Sequence, residues 1–411
     1  MAQYFYNAKS LKGESQTGIL EAKDEYQLAR ILRQQGLILI KAELEEEKLK
    51  KRPRLQFGGW VLPFLGGVSL VEKMMFTRNL QVMIASGLPL PRAMETLALQ
   101  TKSKKFKEAI LNVKEEITKG KSFSDSLTRF PNVFSELFQS MVRVGEESGT
   151  LEEALKVLSS QMEKQHELSS RIQGAMIYPA VIICAMIGIG ILMLIMVVPQ
   201  PSATFKELNI ELPLTTKIVI GLADFLVKKW YLFILILISI AFLFWQAMKT
   251  KIGKRILDNL ILEIPIISPI VRKSNAAYTA RTLSSLISAG VPIVRALEIT
   301  AGTLGNIQYK TALQEAGEQV RKGGKLSEAL KPYENIYSIM VIQMIAVGEE
   351  TGETSSILAK LADFFEEEVG NATKNLASVI EPVLMLIIGA GVGFFAVAMI
   401  QPMYSMLGTV Q

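Results

Sequence analysis

Histidine and cysteine are close to absent from this chain of 411 residues: His166 and Cys184 are the single representatives. A lone cysteine excludes an intramolecular disulfide, and the pair together excludes an ordinary Cys/His zinc site. With one histidine, a catalytic pair built on a second one is excluded as well. Gly120-Lys121-Ser122 imitates the end of a phosphate-binding loop, but Glu115 stands where the first glycine belongs and no apolar strand precedes it. His166-Glu167 has Ser170 where a zinc protease carries its second histidine. No basic patch interleaved with aromatics lies on a polar segment, so nucleic acid is not an expected partner. The start, Met1-Ala2-Gln3-Tyr4-Phe5, reaches Lys9 and Lys12 without an apolar signal core, so a cytoplasmic N-terminus is expected.

Charge is missing from three long windows, and these windows define the class. Hydrophobic residues make up 49% of the chain and mean hydropathy is +0.29, values that fit a few membrane spans carrying substantial water-soluble parts. No charged residue lies between Arg171 and Lys206, between Lys229 and Lys249, or after Glu381. The middle window, Trp230 to Met248, is just long enough to cross a hydrocarbon core of ~30 Å. The net charge of +6 reads as cytoplasmic loops facing anionic lipid. Lys249, Lys251, Lys254 and Arg255 follow the second span with no acid among them and mark the cytoplasmic side. Lys228 and Lys229 argue mildly the other way, and Thr215 to Val227 before them reads as an amphipathic helix at the outer interface. Spans one and three then run outward and the second returns.

The chain also repeats itself. Arg78, Gly87, Pro89, Glu95 and Gly120 recur as Arg281, Gly290, Pro292, Glu298 and Gly323. Gly145, Glu146, Glu147 and Gly149 recur as Gly348, Glu349, Glu350 and Gly352; Pro179 and Pro199 recur as Pro382 and Pro402. Every pair is 203 positions apart, so no insertion separates the copies. Two equivalent domains on one side of a membrane need an odd number of crossings between their terminal spans, and the second span supplies one. Within each copy Gly and Pro punctuate short helices, and the last helix, beginning near Leu151, meets no clear breaker before Pro179. Helix is therefore expected to run nearly unbroken from soluble domain into span.

The predicted organisation is mostly α and integral to the membrane. Residues 1–44 are expected to form a small α+β cytoplasmic domain, with strands near Tyr4 to Ala8, Thr17 to Glu21 and Leu37 to Ala42 around a helix. A charged and aromatic linker follows at 45–70, either a tether packed on the first domain or a seat on anionic lipid. The first helical domain takes 71–174, span one 175–199, an outer loop with its interfacial helix 200–229, and span two 230–248. A cytoplasmic connector fills 249–274, the second helical domain 275–377, span three 378–402 and an outer tail 403–411. The paired acids Glu146-Glu147 and Glu349-Glu350 can be read as helix-end chemistry, as a partner contact, or as a carboxylate pair for a cation or acid–base work. No other catalytic residue types cluster beside them, so no catalytic residue, cofactor or metal ligand is assigned.

Phe76-Thr77-Arg78-Asn79-Leu80, Ser86-Gly87-Leu88-Pro89-Leu90 and Val144-Gly145-Glu146-Glu147-Ser148-Gly149 resemble the PilC/GspF family of inner-membrane platform proteins. So do Arg171-Ile172, Ala175-Met176 and Tyr178-Pro179 at the entry to span one, and Val197-Val198-Pro199 at its close. The second copy repeats most of this, with Glu381-Pro382 in place of Tyr-Pro. The resemblance covers about residues 1 to 405 and implies a platform of a type IV pilus or type II secretion machine in the bacterial inner membrane. It implies a hexameric ATPase and pilins or pseudopilins as partners, other inner-membrane components of the machine, and self-association. Glu146, Glu147, Glu349 and Glu350 are the candidate ATPase contacts. Against the competing class, a repeat-built solute transporter, the predicted spans carry none of the charged mid-membrane residues that coupled transport uses.

Overall fold

The computed structural model describes residues 2–10, 15–22, 24–34, 36–44, 67–202 and 212–409. Most of the predicted linker and the centre of the outer loop lie outside the described residues. Two compact units, Met1–Gly66 and Gly67–Gln411, are described separately. In the first, strands β1 (Ala2–Ser10), β2 (Ser15–Ala22) and β3 (Leu37–Leu44) form an antiparallel sheet of order β2-β1-β3. Helix α1 (Glu25–Gln34) begins at Asp24, whose carboxylate accepts from Gln27 N at 2.7 Å. Leu28 and Leu32 of that helix pack with Tyr4, Ala8 and Leu37.

The second unit begins with α2 (Leu70–Ala85), α3 (Leu90–Gln100), α4 (Lys104–Thr118), the short α5 (Phe123–Leu127), α6 (Glu136–Glu147) and the 42-residue α7 (Leu151–Leu192). Ser69, Ser103, Ser122 and Ser135 cap four of these helices, each hydroxyl accepting from the backbone N–H three positions on at 3.1–3.3 Å. Ser124 lies inside α5 and donates to Glu146 Oε2 at 2.8 Å. After α8 (Leu214–Lys228), α9 (Trp230–Lys249) and α10 (Lys251–Glu263), the set returns as α11 (Ser268–Ser288), α12 (Ile293–Thr303), α13 (Ile307–Arg321), α14 (Leu326–Leu330), α15 (Ile339–Thr351) and α16 (Thr354–Thr409). From α3 and α12 onward every helix start keeps the 203-residue offset.

The two cores solve the same packing problem with different residues. Phe76, Phe106, Phe134 and Phe138 meet with ring centroids 5.0–6.0 Å apart. At the equivalent places stand Thr279, Tyr309 and Tyr337, whose buried hydroxyls need partners. Tyr309 donates to Ile336 O at 2.8 Å, and Tyr337 shares a 3.0 Å hydrogen bond with Thr279. Burial pushes both phenols far above their ordinary range.

Among the described residues, three helices are long and apolar enough to cross a membrane: Leu151–Ser202, Trp230–Lys249 and Thr354–Pro402. Span one, expected at 175–199, is the distal part of α7, so helix runs unbroken from the soluble domain into it; α7 carries Pro179 within it and continues into a π-helical turn at Met193–Val197. Spans one and three are parallel neighbours. Arg171 lies against Gly370 near their entry, while Val198, Ala398 and the α8 residues Val219, Ile220 and Ala223 form one buried cluster at their far ends. Helix α8, expected as an interfacial helix, buries its apolar face on those ends, and Thr216 donates to Ala398 O at 2.6 Å.

Candidate functional site

The duplicated turn Gly-Glu-Glu-Ser/Thr-Gly separates α6 from α7 and α15 from α16, and each position in it has its own environment. A Cβ on Gly145 would come within 2.6 Å of Ala154 Cβ and 3.0 Å of Leu151 Cα; one on Gly348 would meet Thr354 Cα at 3.0 Å. The missing side chain lets the long helix start directly against the end of the one before it. Gly149 and Gly352 close the turn at φ +74° and +73°, the left-handed region where a Cβ is strained.

The two acids, treated alike in the sequence, part company in the structure. Glu146 turns inward to the start of α5: Oε1 accepts from Phe123 N at 2.6 Å, and Oε2 accepts from Ser124 N at 2.9 Å and Ser124 Oγ at 2.8 Å. Glu349 does the same for α14, accepting from Leu326 N at 2.5 Å, Ser327 N at 3.2 Å and Ser327 Oγ at 2.5 Å. Those bonds satisfy N–H groups that a helix start leaves open. Glu147 and Glu350 are exposed. Of the four candidate contact residues, then, Glu146 and Glu349 are held by their own domain, and Glu147 and Glu350 are the exposed ones. Around the first turn Arg143 pairs with Asp125 at 3.1 Å, and Glu152 and Glu153 open α7.

The other repeated residues shape the scaffold. Gly87 and Gly290 end α2 and α11 with positive φ, and Pro89 and Pro292 stand at the starts of α3 and α12. Arg281 bonds Glu366 at 2.8 Å and Asp363 at 2.5 Å, whereas its twin Arg78 is exposed and forms no ion pair among the described residues. Tyr178 borders a groove of about 670 Å³ with Arg171, Glu367, Asn371 and Lys374, where the long helices enter their apolar stretch. Pro179, Pro382 and Pro402 lie within helix, and Pro199 follows the π-helical turn. Sequence reasoning missed two polar ties. Gln161 on α7 is bonded to Thr282 at 3.2 Å and Ser285 at 2.9 Å on α11. Asp258 on α10 accepts from Ile307 N, at the start of α13, at 2.8 Å. Among the described residues no group of three or more His, Cys, Asp or Glu is placed to hold a metal.

Two copies of one helical domain, each continuous with an apolar helix long enough to span a bilayer, define a repeat-built integral membrane protein. Residues 76–199 and again 279–402 match the family described as type II secretion system (T2SS), protein F, and residues 1–43 match the N-terminal domain of that protein. The chain belongs to this family. It is 33% identical over 410 residues to the type IV pilus assembly protein PilC of Thermus thermophilus, covering 100% of this chain and 99% of the relative. It is 32% identical to PilC of Myxococcus xanthus, covering 100% of this chain and 96% of the relative. To the type II secretion system protein F of Vibrio cholerae it is 31% identical, covering 99% of this chain and 98% of the relative. The resemblance carried by the repeated motifs is borne out along the whole chain.

Proposed function

We propose that this chain is the inner-membrane platform of a type IV pilus assembly machine, coupling a cytoplasmic hexameric ATPase to the movement of pilin subunits between bilayer and filament. One observation carries the reading: each exposed acidic turn is the root of the helix that becomes a span. From Leu151 to Pro179 that helix is about 40 Å long at ~1.5 Å per residue, a stiff path from the turn to the membrane. Glu147 and Glu350 are the residues that meet the ATPase; Glu146 and Glu349 hold the turn in shape behind them. The soluble domains and the N-terminus face the cytoplasm, the C-terminus lies outside, and the chain contributes no catalysis of its own. The relatives named PilC, matched over nearly their full length, favour the pilus machine. The comparable match to the Vibrio cholerae protein favours the second reading, the same platform moving pseudopilins in a type II secretion system.

The test uses Glu147→Gln together with Glu350→Gln in the full chain. Expression and membrane insertion are expected to stay near normal, because exposed single charges contribute little to stability. Co-purification of the assembly ATPase and the number of surface pili are expected to fall severalfold, and more steeply as salt rises, since an exposed ionic contact is screened. Unchanged ATPase binding with normal pili would remove the turns from the mechanism. Normal pili alongside lost enzyme secretion would select the secretion reading.

A further inference from the structure

Where the two long helices enter their apolar stretches, the repeat brings two cations to one groove. Arg171 on α7 and Lys374 on α16 are repeat equivalents, and each lies eight residues before its helix proline, Pro179 or Pro382. Spans one and three are parallel, so the two cations reach comparable depth, and both line the groove of about 670 Å³ with Gly174, Tyr178, Glu367 and Gly370. Like charges converging from two helices repel unless an opposite charge lies between them. Among the described residues Lys374 forms no ion pair, and Arg171 has Glu167 at 3.9 Å, both exposed, a contact of little strength in water. Glycine makes the room: Arg171 Nη1 lies 3.3 Å from where Gly370 would carry a Cβ, so the guanidinium reaches across α16 over a position with no side chain. Glu367 on the same lining is exposed and also unpaired among the described residues. Further along, the same helix faces turn apolar. Val181, seven residues past Gly174, and Met385, eleven past Lys374, are 61% and 62% exposed. Tyr178 stands between the two zones, where a ring with one polar end suits a membrane interface.

We propose that this groove holds the headgroup of one phospholipid that carries an amine beside its phosphate, the phosphatidylethanolamine class. The phosphate lies between Arg171 and Lys374, the amine faces Glu367, and the acyl chains run down over Val181 and Met385. With Glu167 included, the groove and its edge carry two charges of each sign, which a zwitterion matches better than an anion. A free phosphate would leave Glu367 and the apolar faces below without a role, and phosphatidylglycerol would offer Glu367 no cation. One such lipid joins α7 to α16 at the level where both helices leave their soluble domains. Under the topology proposed above it belongs to the cytoplasmic leaflet. The inference is independent of the ATPase contact and of whether the machine builds pili or secretes.

The full chain, purified in detergent and stripped of lipid, is titrated with palmitoyl-oleoyl phosphatidylethanolamine, the matching phosphatidylglycerol, or inorganic phosphate, and bound molecules are counted by native mass spectrometry. The first phosphatidylethanolamine is expected to bind roughly tenfold more tightly than later ones and than phosphatidylglycerol. Arg171→Gln with Lys374→Gln is expected to weaken that first lipid roughly tenfold, whereas Arg171→Lys, which keeps the charge, retains most of it. Glu367→Gln is expected to weaken phosphatidylethanolamine roughly threefold while phosphatidylglycerol binds as before or more tightly, an inversion that a damaged fold would not produce. Thermal unfolding in lipid-free detergent checks that each variant is folded. No preferred first lipid, phosphatidylglycerol bound as tightly as phosphatidylethanolamine, displacement of the lipid by inorganic phosphate, or undiminished binding by the double variant would each overturn the proposal.

Discussion

At the turn between α6 and α7, one step along the helix separates a carboxylate held by its own domain from one facing water. Glu146 accepts three hydrogen bonds at the start of α5, so Glu146→Ala is expected to lower stability by about 2 kcal/mol. Glu147→Gln should stay within ~0.5 kcal/mol of the parent. Thermal unfolding of the detergent-solubilised chain distinguishes them, and equal losses would show that the two positions are not divided as described. The glycines of the turn were legible in advance, because a left-handed residue after a helix has few alternatives to Gly. The role of Glu146 was not, since its partners lie 22 and 23 positions earlier and no local pattern ties them. Arg78 and Arg281 teach the same lesson in reverse: identical in the repeat, they differ in surroundings, with Asp363 replaced by Ser160 in the first copy and Glu163, at the place of Glu366, forming no ion pair with Arg78 among the described residues.

Among elements, the corner joining α4 to α5 is where the two halves of the chain differ in chemistry. Glu116 on α4 is buried and meets Lys121 in the turn and Arg129 beyond α5, the latter at 2.8 Å. The Lys121 hydrogen bond, working against burial and aided by the charge of Arg129, holds the Glu116 carboxyl below its ordinary value. A carboxyl depressed in the folded state stabilises above its unfolded value and loses that contribution as pH falls through the folded one. The second half has Gln319, Gly324 and Pro332 at these places and no such titration. Acidification is expected to loosen the α4–α5 corner before the equivalent α13–α14 corner, seen as earlier loss of hydrogen-exchange protection in α4 and α5, and Glu116→Gln should abolish the difference. Simultaneous loosening of both corners in the parent would count against it. Helix order was legible from Gly and Pro punctuation; the π-helical turn at Met193–Val197 and the capping of α13 by Asp258 were not, the first lying in a uniformly apolar run and the second joining residues 49 apart.

For the whole molecule, the repeat and the charge pattern lead to one topology. Reporters fused at Gln411 and inserted at the Thr250 turn are expected on opposite sides of the membrane, with the Thr250 reporter cytoplasmic; the same side for both would break the argument. The parallel packing of spans one and three also gives Thr216 a consequence. Pro402 lies inside α16 and carries no N–H, so the carbonyl four residues earlier, that of Ala398, loses its ordinary helical donor. Thr216 supplies a hydroxyl to that same oxygen. Ala398 is fully buried, and a buried carbonyl left without a donor costs about 1–3 kcal/mol. Helix α8 thus pins the third span at one register: sliding the two past each other would strand that carbonyl until another donor arrived.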